Sequence, residues 1–328
     1  MVTMEPRIKQ IPLLVVTGPT ASGKTRLAIE LARRLQGEVI SADSMQVYAD
    51  LAIGTARPTA EEMGEIPHHL VGFLPLQENY SVARYVQDAH QATEAVWMAG
   101  RLPILAGGTG LYIQSLLDNL NFAEEGADPA LRAALKARAE AEGGAPLLEE
   151  LRLVDQETAD RLHENDIGRI VRALEAYRTT GVPLSEQARR SRKIPSPYEA
   201  VIFLLDSRDR QVLYQRIDQR VDRMLAQGLL EEARTILAGP QAGTAMQAIG
   251  YKELAPYFAG DCSLEEAVDR LKQGTRRYAK RQLSWFRRMI RERSGHILYI
   301  DEDSPDDLVQ RAAAIWQQEQ SSQKGADV

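Results

Sequence analysis

Cysteine, aromatic side chains and long apolar runs are scarce in this sequence. Cys262 is the only cysteine among 328 residues, which excludes an internal disulfide and any zinc site that needs several thiolates. A single cysteine fits the reducing cytoplasm, and no apolar run approaches the length of a membrane span. We therefore expect a cytoplasmic protein that does not enter the membrane.

Positive charge is also in the minority. Lys and Arg number 40 against 46 Asp and Glu, so the formal net charge is −6 at pH 7. A protein of this charge can bind nucleic acid only through a local basic patch. The chain is long enough to bury a full core and to divide into two units, and we expect a monomer.

Short β-rich runs alternate with long helical patterns over most of the chain, which is typical of a parallel sheet covered by helices. Strands are predicted at 13–17, 38–41, 69–73, 102–106, 201–206 and 297–300, and helices at 81–99, 110–117 and 210–227.

Between 119 and 198 the β-rich runs vanish. Helical patterns are found there at 129–142, 146–153, 156–163 and 167–180, the last with Asp166 as its predicted cap. Together with the phosphate-loop pattern Gly-Pro-Thr-Ala-Ser-Gly-Lys-Thr at 18–25, these runs predict the α/β class: a P-loop NTPase-like parallel sheet flanked by helices, with an all-helical insert domain. Residues 1–118 and 199–328 would form the discontinuous core, and 119–198 the insert.

A phosphate-binding loop is the most specific motif. Residues 18–25 read Gly-Pro-Thr-Ala-Ser-Gly-Lys-Thr, which matches G-x-x-x-x-G-K-[ST], and they follow an apolar run at 11–16. A loop between a strand and a helix presents backbone N–H groups and a positive helix end to a diphosphate or triphosphate. Lys24 can reach the distal phosphates, and Thr25 can offer its hydroxyl to Mg²⁺. Which phosphate compound binds, and whether a phosphoryl group is transferred, stay open at this point.

Two further polar residues follow predicted strands, whose carboxyl ends converge on the ligand crevice of such a fold. Asp43 follows the strand at 38–41, where it can be a general base or metal partner, or a structural cap for backbone N–H groups. Thr109 follows Gly107 and Gly108, where it can be a helix N-cap or can bind a reacting oxygen. Position alone decides neither case.

The segment 270–293 is strongly basic, and Glu292 is its only acid. Helical spacing places Arg277, Arg281, Arg288 and Arg291 on one face. A solvated face is the usual explanation of such a run. In an acidic protein, however, so basic a helix favours a surface that binds nucleic-acid phosphates.

Together these segments resemble one family, the tRNA dimethylallyltransferases, also called tRNA isopentenyltransferases or IPP transferases. The matching segments follow the family's order over most of the chain: 18–25, 43–48, 53–58, 67–70, 107–112, 166–175, 248–253 and 275–285. The sequence looks like the bacterial form, because it does not carry the zinc-finger extension of eukaryotic members.

The resemblance implies transfer of a five-carbon dimethylallyl group from dimethylallyl diphosphate to N6 of adenosine-37 in the tRNA anticodon stem-loop. Diphosphate leaves, and Mg²⁺ is the implied cofactor, contacted indirectly through Thr25. In that family the phosphate loop holds the prenyl diphosphate. The implied donor site is therefore Gly18, Pro19, Thr20, Ala21, Ser22, Gly23, Lys24 and Thr25.

The resemblance also implies catalytic roles and tRNA contacts. Asp43 matches the residue that orients or deprotonates adenine N6, and Thr109 matches the threonine near the bridging oxygen. Lys24 and Arg220 match residues that bind the departing diphosphate. The implied tRNA contacts are Asp43, Ser44, Met45, Gln46, Arg132, Arg169, Arg172, Met246, Gln247, Ile249, Gly250, Tyr251, Arg276, Arg277, Lys280, Arg281 and Gln282.

Three alternatives would use the same loop. A nucleotide or small-molecule kinase would bind ATP there, but needs neither the basic helix nor the large insert. An adenylate isopentenyltransferase would prenylate free AMP in place of tRNA. An ATP-gated RNA-binding protein would carry out no covalent chemistry.

Overall fold

The computed structural model describes residues 10–120, 128–192, 194–240, 245 and 248–326. The chain divides into two compact units. One is discontinuous: its first part ends at Leu117 and its second begins at Pro197. The other is the intervening segment Asp118–Ser196.

The larger unit is built on one parallel sheet. Its strands are β1 (Ile11–Thr17), β2 (Gly37–Ser41), β3 (His68–His69), β4 (Leu102–Gly107), β5 (Tyr198–Asp206) and β6 (His296–Tyr299). They lie in the order β3-β2-β4-β1-β5-β6, and every neighbouring pair is parallel. The predicted parallel α/β architecture is confirmed.

The helices of the two units follow one another along the chain as α1 (Lys24–Leu35), α2 (Ala60–Met63), α3 (Val82–Met98), α4 (Gly110–Leu117), α5 (Pro129–Glu142), α6 (Ala145–Val154), α7 (Gln156–Ala159), α8 (Ile167–Thr180), α9 (Leu184–Arg192), α10 (Arg210–Ala226), α11 (Leu229–Ala238), α12 (Tyr251–Ala259), α13 (Leu264–Arg293) and α14 (Pro305–Ala326). None of them, within the part of the chain that is described, is long and apolar enough to cross a membrane.

The central strand β1 is apolar on both faces, as expected of a parallel strand covered by helices on each side. Residues 13–16 of this strand are fully buried. β1 pairs with β4 and β5, with Thr17 opposite Gly107 on one side and Leu204 on the other. This register brings the loops that follow β1, β2 and β4 to the same edge of the sheet.

The predicted strand at 69–73 is wrong over most of its length, because β3 ends at His69. Leu70 and Gly72 have φ values of 60° and 61°, which breaks the extended conformation. The N–H of Gly72 donates to the carbonyl of Gln46, and that of Phe73 to the carbonyl of Val47. This segment therefore pairs with the loop after β2.

The smaller unit is helical and has its own apolar core, which includes Leu147, Leu151, Ile170 and Leu174. The predicted helices at 129–142 and 167–180 match α5 and α8. The helix predicted at 156–163 is shorter, since α7 ends at Ala159, and α9 was not predicted. Asp166 precedes α8, but its carboxylate accepts the His163 N–H instead of capping the helix.

Candidate active site

The phosphate loop connects β1 to α1 and presents the amino end of that helix. Gly23 has a φ of 91°, a left-handed conformation that glycine adopts without a steric penalty. A Cβ atom at Gly18 would lie 2.8 Å from the carbonyl oxygen of Leu205 on β5, so the loop also starts where only glycine fits. No side chain caps the start of α1. Its backbone donors are therefore available to an anion.

Two half-buried cations, Lys24 on α1 and Arg220 on α10, belong to this site. Burial lowers the pKa of the Lys24 ammonium to about 8; Arg220 acts in the same direction, and Asp43 opposes it. Burial also lowers the pKa of Arg220, whose guanidinium donates to the carbonyl of Thr55 at 3.2 Å. Desolvated cations that repel each other favour the binding of an anion.

Asp43 follows β2, and its two carboxylate oxygens differ in their surroundings. Oδ1 accepts the N–H of Met45 at 3.0 Å and that of Gln46 at 3.3 Å. No hydrogen bond to Oδ2 occurs among the residues that the structure describes, and the side chain lines a cavity beside Lys24. The structure therefore shows the capping role for Oδ1, whereas the role of Asp43 as a general base stays a prediction that would fall to Oδ2.

Thr109 follows β4 and links that strand end to the loop after β2. Its hydroxyl accepts the N–H of Ser44 at 3.0 Å and lies 3.4 Å from the Ser44 Oγ. Its own N–H donates to the carbonyl of Ala42. Thr109 therefore fixes the loop that carries Asp43.

Two residues of α13, Tyr278 and Gln282, extend this hydrogen-bonded network. The Tyr278 hydroxyl interacts with Thr109 and Gln282, and burial, with the nearby Asp43 charge, raises the pKa of Tyr278. Gln282 accepts the N–H of Thr20 at 2.9 Å and donates to the carbonyl of Gly108 at 2.8 Å. The long basic helix is thus part of the active-site scaffold.

The loop after Leu51 is held by one carboxylate, which the sequence did not reveal. Glu232 on α11 accepts the N–H groups of Ala52, Ile53 and Gly54 at 2.8 to 3.1 Å. The Tyr251 hydroxyl donates to the same carboxylate at 2.8 Å. The anchored loop supplies the carbonyl of Thr55 that accepts from Arg220.

These elements surround a cavity of about 600 Å³. It brings together twelve of the predicted site residues: Thr20, Lys24, Thr25, Asp43, Ser44, Met45, Gln46, Arg220, Ile249, Gly250, Arg281 and Gln282. Apolar side chains complete the lining, among them Val221, Met224, Leu229 and Leu271. Such a lining suits a ligand that joins a charged head to a short apolar chain.

The remaining predicted tRNA contacts are distributed over both units. On α13, Arg277 and Lys280 are exposed, whereas Arg276 forms an ion pair with Asp218. In the helical unit, Arg169 and Arg172 are exposed, and Arg132 donates to the buried Glu175 at 2.8 Å. Tyr251 is buried and bonded to Glu232. Met246 and Gln247 lie outside the described residues.

A magnesium site was expected at Thr25. Over the described ranges, no group of three or more His, Cys, Asp and Glu side chains is arranged to hold a metal ion. Thr25 and Asp43 line the same cavity. Mg²⁺ commonly keeps several waters and takes one or two protein oxygens together with substrate phosphates. The residues present therefore fit an ion that is held largely by a bound diphosphate.

Comparison with known proteins gives consistent matches over most of the chain. A family model described as IPP transferase matches residues 46–289, and one described as isopentenyl transferase matches residues 11–78. The sequence is 45% identical over 280 residues to a tRNA dimethylallyltransferase of Thermoanaerobacter sp. (strain X514), covering 84% of this chain and 89% of that one. It is 48% identical over 286 residues to tRNA dimethylallyltransferase 1 of Trichlorobacter lovleyi, covering 87% and 92%.

Solved structures of isopentenyl and dimethylallyl transferases also match most of the chain. The tRNA isopentenylpyrophosphate transferase of Bacillus halodurans superposes with a TM-score of 0.70 at 39% identity, over 96% of this chain and 99% of that one. A eukaryotic dimethylallyltransferase, studied while acting on tRNA, superposes with a TM-score of 0.80 at 31% identity, over 95% and 80%. The predicted P-loop NTPase-like class is confirmed by these neighbours.

Proposed function

The chain belongs to the IPP transferase family, and from that membership we propose that it is a tRNA dimethylallyltransferase. It transfers the dimethylallyl group of dimethylallyl diphosphate to N6 of an adenosine in tRNA and releases diphosphate. One observation carries this function: a phosphate loop, the carboxylate of Asp43 and an apolar lining share one cavity. A kinase active site would use the first two but has no need of the third.

We propose that the diphosphate of the donor binds to the phosphate loop. The uncapped N–H groups of α1 and the ammonium of Lys24 would contact its oxygens, together with Arg220. Negative charge grows on these oxygens as the allylic C–O bond breaks, so donors that are already in place stabilise the transition state. The phosphate loop then holds the group that leaves.

Asp43 is the proposed acceptor of the N6 proton. The exocyclic amine of adenine is a weak nucleophile, because its lone pair is delocalised into the ring. A carboxylate that takes the proton during attack can contribute ~10²- to 10⁴-fold. The bonds from Met45 and Gln46 hold Oδ1 in place and so orient the carboxylate. Thr109, which fixes the same loop, is proposed to donate its hydroxyl near the bridging oxygen of the donor.

The proposed cofactor is Mg²⁺, with Thr25 as its hydroxyl contact. When bound, the ion would neutralise charge on the diphosphate. Lys24 and Arg220 would contribute positive charge to the same diphosphate from the protein side.

For the acceptor, we propose adenosine-37 in the anticodon stem-loop. A base in a single-stranded loop can leave its stack at little cost, and sequence-specific RNA recognition commonly targets such loops. The exposed Arg277, Lys280 and Arg281 of α13 would contact phosphates near the cavity, and the exposed Arg169 and Arg172 of the helical unit would contact other phosphates of the tRNA. We further propose that the protein acts in the cytoplasm as a monomer.

The test is mass spectrometry of nucleosides from unmodified tRNA, after incubation with the protein, dimethylallyl diphosphate and Mg²⁺. N6-(dimethylallyl)adenosine is expected, and ribonuclease fragments should place it at position 37. Equimolar AMP should leave the yield unchanged, since an adenylate isopentenyltransferase would prenylate AMP instead. Label transfer from γ-labelled ATP to an acceptor, without prenylated nucleoside, would refute the proposal in favour of a kinase.

A further inference from the structure

Gln282 stands apart from its neighbours on the basic helix α13. Arg277, Lys280 and Arg281 are exposed, but the Gln282 residue is only 6% exposed. A glutamine amide that contacted tRNA would have to present Oε1 or Nε2 to the nucleic acid. In this structure both atoms are used on the main chain of the protein.

The two bonds of Gln282 join different segments of the active site. Its Oε1 accepts the N–H of Thr20, within the phosphate loop, at 2.9 Å. Its Nε2 donates to the carbonyl of Gly108, just before Thr109, at 2.8 Å in a buried environment. One planar amide thus ties the loop after β1 to the loop after β4.

The contact between Gln282 and Gly108 requires a glycine at position 108. A Cβ atom there would lie 2.5 Å from Nε2 of Gln282, whereas the nearest atoms of Lys24 would be at an ordinary 3.6 Å. The absence of a side chain at Gly108 is what lets Gln282 reach the carbonyl. A methyl group at this position would therefore disturb Gln282 before it disturbed Lys24.

We propose that Gln282 is a positioning residue for the phosphate loop and does not contact tRNA. By fixing the Thr20 N–H, it holds the loop in the conformation that binds diphosphate, so that less conformational freedom is lost on binding. Gln282 thereby couples the helix that carries the tRNA-binding arginines to the donor site. The link to tRNA rests on the proposed function, whereas the effect on diphosphate binding does not.

The experiment measures two affinities separately for Gln282→Met, which keeps most of the side-chain volume but removes both hydrogen bonds. Inorganic pyrophosphate with Mg²⁺ is titrated calorimetrically, and unmodified tRNA is titrated by filter binding. The Kd for pyrophosphate should rise about tenfold, which corresponds to the contribution of roughly one hydrogen bond. The Kd for tRNA should stay within about twofold of the wild-type value. The KM for dimethylallyl diphosphate should rise by the same factor as the pyrophosphate Kd.

Two variants on the same helix serve as controls. Ser284 is exposed, and its hydroxyl donates to the carbonyl of Lys280 in its own helix, so Ser284→Ala should leave both affinities unchanged. Arg277→Gln should weaken tRNA binding and leave pyrophosphate Kd unchanged. Gly108→Ala disrupts the same contact by changing the other residue, and it should raise the pyrophosphate Kd as Gln282→Met does.

The opposite pattern would overturn the assignment: an unchanged pyrophosphate Kd in Gln282→Met together with a raised tRNA Kd. If Gln282→Met does not fold, Gly108→Ala decides alone, and an unchanged pyrophosphate Kd in that variant counts against the proposal. Failure of the wild-type protein to prenylate tRNA would refute the proposed function. It would leave the pyrophosphate comparison intact, because that measurement needs no reaction.

Discussion

Replacing Lys24 with methionine should make the ligand-free protein more stable while it weakens diphosphate binding. The ammonium of Lys24 is desolvated and is repelled by Arg220, so its charge opposes folding as long as no anion is bound. Methionine removes that charge and keeps an unbranched apolar chain of similar length. Stability and function are therefore in conflict at this residue.

The size of the effect follows from the pKa. A shift from the ordinary value of 10.5 to about 8 corresponds to roughly 3 kcal/mol at neutral pH. The bond from Lys24 Nζ to the carbonyl of Pro19, at 3.5 Å, is lost in the variant and offsets part of this gain. We expect a net stabilisation of about 1 to 3 kcal/mol, which raises the thermal midpoint by about 2 to 8 °C.

The pH dependence provides the sharper check. The folded pKa of Lys24 lies below the unfolded value, so the folded wild type is penalised fully below pH 8, and the penalty disappears as the pH approaches 10.5. Thermal midpoints of wild type and Lys24→Met should therefore differ most at pH 7 and converge by about pH 10. Lys280→Met, at an exposed lysine, should show no such difference.

A second readout completes this test. Calorimetric titration with pyrophosphate at pH 7 should give a Kd at least about tenfold higher in Lys24→Met. The reasoning fails if Lys24→Met is less stable than wild type at pH 7, or if the stability difference does not change between pH 7 and pH 10.

Other substitutions should have the following effects. Asp43→Asn keeps the Oδ1 cap but not the base, so we expect transfer to slow by ~10²- to 10⁴-fold in single-turnover assays, with pyrophosphate Kd unchanged. Replacing Arg277 and Arg281 with Glu should weaken tRNA binding and reduce the slope of log K against log salt by about 1.4. The control Arg34→Glu, at an exposed arginine, should change neither quantity. An unchanged slope in the double variant would mean that α13 is structural and does not bind tRNA phosphates. Glu232→Gln places an amide among N–H donors, and should lower the free energy of unfolding, measured by chemical denaturation, by about 1 to 3 kcal/mol. A loss below about 0.5 kcal/mol would contradict the role of Glu232 as the anchor of the loop after Leu51.

The sheet could be predicted because its strands are short apolar runs that are buried on both faces. β1 and β4 show this pattern clearly. The length of the third strand could not be predicted, because the strand is ended by the left-handed conformations of Leu70 and Gly72. Those conformations are stabilised by hydrogen bonds to the loop after β2, and such bonds leave no periodic signal in the sequence.

The active-site residues also divide into those that the sequence reveals and those that only the structure reveals. Lys24, Thr25 and Asp43 are recognisable because their chemistry is tied to a motif or to a strand end. Glu232 was not found, since the N–H groups that it accepts lie about 180 residues away in the chain. Gln282 was predicted as a tRNA contact, and its main-chain partners were not predicted, because a buried glutamine in a basic segment looks like its exposed neighbours until the inward face of the helix is known.

The position of β1 in the sheet has a consequence for the order of folding during synthesis. β1 is hydrogen-bonded to β4 and β5, but the ribosome makes the entire helical unit between these two strands. At ~5–20 residues per second, one edge of β1 waits roughly 5 to 20 seconds for its second partner, while the helical unit can already bury its own core. An unpaired apolar strand of this kind is prone to aggregate. Slowed translation after Leu117 should therefore lower the yield of native protein, and chaperone binding to the nascent chain should peak before β5 emerges.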